Sequence, residues 1–185
     1  LVSHRDSLNK VHYVLIGDPA ISLPVPTYKI QVDKINNVSV NENHIETISA
    51  GSIVSVQGHV VDEDGKDAPG FNGLISPTVF DNLELVTCNN NAGEDVTPFQ
   101  FYARTRTLFA GSDSIKNGRF DFTFPVPLDI NYSDENGLMC LYAINSDKSI
   151  EANGAFHEFA VGGTDKNISK NKQGPVLVAS LNGEK

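Results

Sequence analysis

Asn117-Gly118, followed by a strand of alternating phenylalanines, constrains this chain more than any other stretch. An Asn-Gly pair suits a two-residue hairpin turn, whose central residues both need positive φ. After it, Phe120, Phe122 and Phe124 alternate with Arg119, Asp121 and Thr123. Period two places three rings on one face of a strand and polar groups on the other. Each ring buries roughly 150–250 Å², so this strand is expected to form the heart of the core. Pro125 and Pro127 end it, because proline cannot donate to a ladder.

Strand signals recur on both sides of this hairpin. Tyr28, Ile30 and Val32 alternate with polar residues, and Val54, Val56 and Val60 share a face with Gly58 between them. Asp64-Gly65 reads as a turn. Leu74 to Phe80 follows, where Pro77 implies an edge position or a bulge. Further runs are His44 to Ser49, Leu83 to Cys88, Phe99 to Ala103, Leu138 to Ile144 and Ala155 to Val161, with a turn expected at Asn153-Gly154. No segment carries sustained helical periodicity. Short strands at this spacing predict an all-β, immunoglobulin-like antiparallel β-sandwich of roughly 7–9 strands.

The ends read differently. VHYVLI at 11–16 is a short buried-strand pattern that stops at Gly17-Asp18-Pro19, and Pro24 and Pro26 mark a linker. Residues 1–27 are therefore expected to be the tail of another domain and its linker. The sandwich is expected over 28–164, and 165–185 as a connector plus the first strand of a further domain, PVLVASL. The opening residues show no basic start followed by an apolar stretch of the signal-peptide kind.

Charge narrows the partners. Fourteen Lys and Arg against 23 Asp and Glu give a formal charge of −9, the wrong sign for nucleic acid or an anionic lipid surface. No apolar run approaches the ~20 residues of a membrane-spanning helix. Two cysteines, Cys88 and Cys140, lie in strand-like runs 52 residues apart. An immunoglobulin disulfide would also want a Trp between them and a Tyr two residues before the second. The chain has no Trp, and residue 138 is Leu. Buried free thiols are favoured over a bridge, and Cys140 reads as a small core residue.

Catalytic and metal patterns are sparse. The histidines are His4, His12, His44, His59 and His157, with no HxH, HExxH or CxxC spacing. Asp62, Glu63, Asp64 and Asp67 cluster at a turn but lack the EF-hand spacing. Cys88, beside a polar loop, is the better placed of the two thiols for a nucleophile, which would need His44, His59 or His157 within reach. No GxSxG, P-loop or GxGxxG occurs. Asn37, Asn131 and Asn167 each begin an Asn-X-Ser triplet, a weak match to the glycosylation pattern. The residues themselves nominate no catalytic, cofactor or metal site.

Several stretches in order resemble a known family: YVLIGDPAISL at 13–23, GHVVDEDGKDAPGFNGLISPTVFD, NGRFDFTFPVPLDINY, NGLMCLYAIN and ANGAFHEFAVGGT. Together they look like the end of the catalytic domain and the β-domain after it in gingipain-type cysteine peptidases, closest to those serving as the type IX secretion sortase of Bacteroidetes. The resemblance spans most of residues 11–164. It implies a caspase-like α/β peptidase domain upstream, whose catalytic His and Cys are not among the residues here. Cys88 and Cys140 do not match the nucleophile, and no cofactor is implied. It further implies a location at the cell surface or outer membrane, with the catalytic domain of the same chain, secreted cargo and other secretion subunits as partners. The alternative from another class is a free-standing adhesion or carbohydrate-binding sandwich, against which the missing Trp platform counts.

Overall fold

The computed structural model describes residues 25–40, 45–89, 97–133 and 135–166. The strand-like runs at 11–16 and 175–181, most of the segment assigned to a preceding domain, and His4, His12, His44 and Asn167 lie outside them.

The described chain is all β. It opens with β1 (Tyr28–Ile35), β2 (Val38–Ser39) and β3 (Glu46–Ala50). β4 (Ile53–Val61) and β5 (Gly73–Phe80) follow, then the short pair β6 (Glu84–Thr87) and β7 (Gln100–Ala103). The central hairpin region holds β8 (Thr107–Ala110), β9 (Asp113–Ile115) and β10 (Arg119–Pro125). β11 (Glu135–Asn136), β12 (Leu138–Asn145), β13 (Glu151–Phe156) and β14 (Phe159–Thr164) complete it.

Nine strands form one sheet in the order β10-β4-β1-β13-β12-β5-β8, with β2 on β1 and β9 on β5. The hairpin explains how this sheet becomes a sandwich. β9 pairs with β5 near one end of the order, and a two-residue turn returns the chain as β10 at the other end. One tight turn thus draws the two ends together, and the sheet folds over on itself. At the turn, Lys116 and Arg119 exchange backbone hydrogen bonds of 3.0 Å each, while Asn117 and Gly118 take φ of 52° and 72°. That is the positive-φ pair the Asn-Gly dipeptide supplies.

Phe120, Phe122 and Phe124 are all buried, as their alternation requires. They share the core with Val54, Val56 and Val60 of β4, and with Val79, Met139 and Leu141 from the facing layer. Gly58 sits opposite Phe120 in the β4–β10 pairing. A Cβ there would collide with the Gln31 carbonyl and the Phe120 ring; glycine lets the ring lie against the backbone. A small sheet, β11-β14-β3, contributes Phe159, Val161, Ile48 and Ala50 to the same core.

Several expectations need correction. The sandwich is not wholly antiparallel: β1 with β13, and β3 with β14, run parallel. Pro77 is not on an edge, because β5 is flanked by β12 on one side and by β9 and β8 on the other. The Pro77 carbonyl accepts from Gly111 on the β8/β9 side. A strand residue's N and O point the same way, so the absent N–H faces the gap where β9 has ended and β8 has not begun. Asn153-Gly154 is no turn but part of β13, where a Cβ on Gly154 would strike Ile30 of the adjoining strand. Cys140 is exposed rather than buried, because Met139, Leu141 and Ala143 take the inward positions of β12. Cys88 is half-buried, and both thiols are free. Among the described residues β6 and β7 pair only with each other, and Phe99 and Phe101 are exposed.

Candidate functional site

The sandwich has two functionally different ends. At the end holding the Asn117-Gly118 turn, a ring of charge forms on the outer face of β1, β4 and β10. His59 lies directly opposite Arg119 across the β4–β10 ladder. Its Nδ1 is 2.9 and 3.0 Å from the two Asp33 carboxylate oxygens. Its Nε2 is 3.5 Å from Asp67 Oδ1. Arg119 closes the ring, with Nη2 donating to Asp67 Oδ2 at 3.1 Å and Nη1 3.7 Å from Asp33 Oδ2.

Local backbone features aim these groups. The β1–β4 register slips between Val32 and Lys34, leaving Asp33 as the extra residue of a bulge. A bulge re-aims a side chain and interrupts alternation. Here it turns Asp33 outward toward His59 and lets Ile35, rather than Lys34, point into the core. Asp67 is fixed by a bridge to Val61 just after the Asp62 turn. In that turn the Asp62 carboxylate accepts from the Asp64 and Lys66 backbone N–H groups at 3.0 and 2.9 Å. The acidic cluster there is therefore a hydrogen-bonded turn, and among the described residues no three His, Cys, Asp or Glu side chains are grouped to hold a metal ion.

Beside the ring runs an open groove of about 460 Å³, lined by Asp33, Lys34, Gln57, Lys116, Arg119 and Asp121 with Gly58 and Phe120 beneath. Gln57 and Ser55 hold Asp121 in place, at 3.1 and 3.4 Å. The groove is polar, shallow and of mixed charge. Both His59 nitrogens face carboxylates, so the imidazole has no hydrogen bond to a thiol. His157 is exposed beyond β13, and Cys88 follows β6 with its N–H donating to Phe99 O at 2.9 Å. The sequence could not reveal the Asp33–His59–Asp67–Arg119 ring, because Asp33 and Arg119 reach His59 through long-range pairing and a bulge.

The opposite end carries a different arrangement. β5 is followed there by Asp81 and Asn82, both almost fully buried. The Asp81 carboxylate accepts from the backbone N–H groups of Asn82 at 2.8 Å and Asn131 at 2.7 Å. The Asn82 amide donates to Asn131 O at 3.1 Å and Val161 O at 3.4 Å. Arg104 Nη1 donates to Asp81 O and Asn136 O at 2.6 and 2.8 Å. These bonds pin the loop after β10, strand β14 and the foot of the β6–β7 hairpin to one point.

Comparison with known proteins places this architecture. No family model matches the chain, and no curated protein matches it. Ten chains of solved structure do. One is the crystal structure of dimeric latent PorU from Porphyromonas gingivalis, which superposes with a TM-score of 0.67 at 29% identity over 82% of this chain. Another, the sporulation control protein Spo0M from Bacillus subtilis, reaches 0.41 at 16% identity over 75% of this chain and 51% of that chain, too slight a likeness to carry an argument. The match to PorU takes in 14% of that chain. The chain described here is thus similar, in sequence and in fold, to one β-domain-sized part of PorU.

Proposed function

We propose that this chain is a non-catalytic β-sandwich module of a PorU-like cysteine peptidase of type IX secretion. In this reading it supports the catalytic domain of the same polypeptide and contacts secreted cargo or partner subunits at the outer membrane. The observation that carries the proposal is the joint sequence and fold likeness to PorU over 82% of this chain against 14% of that one. A module of that proportion leaves room for the peptidase domain that the gingipain-type resemblance puts upstream. The free thiols also favour it, since Cys140 stands exposed on a strand and the His59 nitrogens face Asp33 and Asp67.

The test is a peptidase assay on the purified 185-residue chain and its Cys88→Ala variant. No turnover by either is expected. Turnover that vanishes in Cys88→Ala would overturn the non-catalytic assignment. Binding of the isolated chain on a glycan array would favour the free-standing carbohydrate-binding sandwich instead.

A further inference from the structure

Among the described residues, no strand lies on either outer edge of the β6–β7 hairpin. Each of its faces carries an apolar cross-strand pair. Leu85 pairs with Tyr102 on one face, and Val86 with Phe101 on the other. Phe99 extends the second face, stacked on Phe101 at 6.1 Å. A two-stranded hairpin in water is marginal by itself, and among the described residues none of its side chains joins the hydrophobic core. Two more exposed apolar residues, Leu128 and Tyr132, flank Asn131, which the Asp81–Asn82 node ties to the hairpin's foot. Arg106 strengthens the same junction through Asp129 at 2.8 Å. With Leu83, this end carries seven of the thirteen large exposed hydrophobics among the described residues, at 40–70% exposure. Patches rich in aromatics and aliphatics, with few charges, mark protein interfaces.

The paths of the chain bear on what covers this end. Tyr28 pairs with Ala152 at the end of the sheet where β5 begins, so the polypeptide enters the sandwich a full strand length from the arm. An eight-residue strand such as β5 spans about 26 Å. The exit lies at the other end: Asn82 contacts Val161, and Asp165 donates to Ala50 beside the turn into β4. The described chain therefore ends at the same end of the sandwich as the arm and begins at the other.

We infer that the β6–β7 arm and the 128–132 loop form the docking face for the domain that follows this one in the same polypeptide, which meets it with an apolar surface. This rests on the reading of the chain as one module of a longer protein. The preceding domain, attached at the far end, and a second copy are the competing occupants, which hydrogen exchange distinguishes.

Amide hydrogen exchange of 84–87 and 100–103 tests this in the longer natural polypeptide, in that polypeptide cut after Lys185, and in one lacking everything before Leu1. Exchange is expected to be slow in the longer polypeptide, several-fold faster after the downstream cut, and unchanged by the upstream one. Adding Phe101→Ser and Tyr102→Ser to the longer polypeptide is expected to speed exchange as the downstream cut does. Fast exchange in the longer polypeptide, protection lost on the upstream cut, or protection in the 185-residue chain that rises with concentration would each overturn the docking. A gene encoding nothing beyond this chain on either side would sink the module reading itself. Fast exchange in a multi-domain polypeptide would sink the docking alone.

Discussion

Phe109 and Phe124 stack with ring centroids 5.0 Å apart and planes 15° from parallel, although β8 and β10 stand at opposite ends of the sheet order. Their contact is where the folded-over sheet meets itself. Phe124 is fully buried, so Phe124→Ala is expected to cost about 3–5 kcal/mol through lost contacts and a cavity. Phe109 is half-buried and should cost less. A double-mutant cycle by chemical denaturation should return a coupling of about 0.5–1.5 kcal/mol for the pair. A coupling near zero would mean that the two edges close by other contacts.

Gly58 should tolerate no side chain. Gly58→Ala forces either Phe120 or the β1–β4 ladder to move, an overpacking cost of about 1–3 kcal/mol. By contrast Arg119→Ala, which removes an exposed guanidinium from the His59 ring, is expected to change stability by less than ~1 kcal/mol. The two denaturation midpoints, measured side by side, check the order. A larger loss at Arg119 than at Gly58 would reverse the assignment of what holds this end together.

The hairpin and its inward face were legible because both signals are local: a dipeptide for the turn, and alternation for the strand. The same logic read Asn153-Gly154 as a turn, since a dipeptide cannot reveal that Gly154 is needed for the approach of Ile30. The Phe99 to Ala103 run was legible as a strand, but alternation shows which residues share a face and not whether anything covers it, and Phe99 and Phe101 are exposed. Cys140 was placed inside because LMCLYAIN is apolar at nearly every position, leaving either face free to be the buried one. The His59 ring and the Asp81–Asn82 node escaped the sequence because key partners lie far apart along the chain, His59 and Asp33 by 26 residues and Asn82 and Val161 by 79.

Asp81 is expected to be the most sensitive polar residue outside the core. Asp81→Ala leaves the backbone N–H groups of Asn82 and Asn131 without their acceptor, at about 1–3 kcal/mol for each buried donor. Asp81→Asn keeps one acceptor oxygen and should lose about half as much. Equal stability of wild type and Asp81→Ala would show that water replaces the carboxylate.

Acid should loosen the turn between β12 and β13. Hydrogen bonds from the Ser149 hydroxyl, at 2.6 Å, and from its backbone N–H, at 3.1 Å, hold Asp147 below the ordinary aspartate value of 3.8. A depressed folded value means that the stabilisation is present above the unfolded value and is lost as pH falls through the folded one. An NMR titration of the Asp147 carboxyl should therefore show a midpoint below 3.8, and Ser149→Ala should raise it. A midpoint at or above that value would remove Ser149 from this role.

The proposed role of the sandwich is to support a peptidase domain without performing its chemistry. The direct measurement compares the longer polypeptide with and without residues 28–164, recording peptidase activity and the thermal midpoint of the peptidase domain. Removal is expected to lower the midpoint and the active yield, while the isolated 185-residue chain remains inert. A peptidase domain that melts and works identically without the sandwich would contradict the claim.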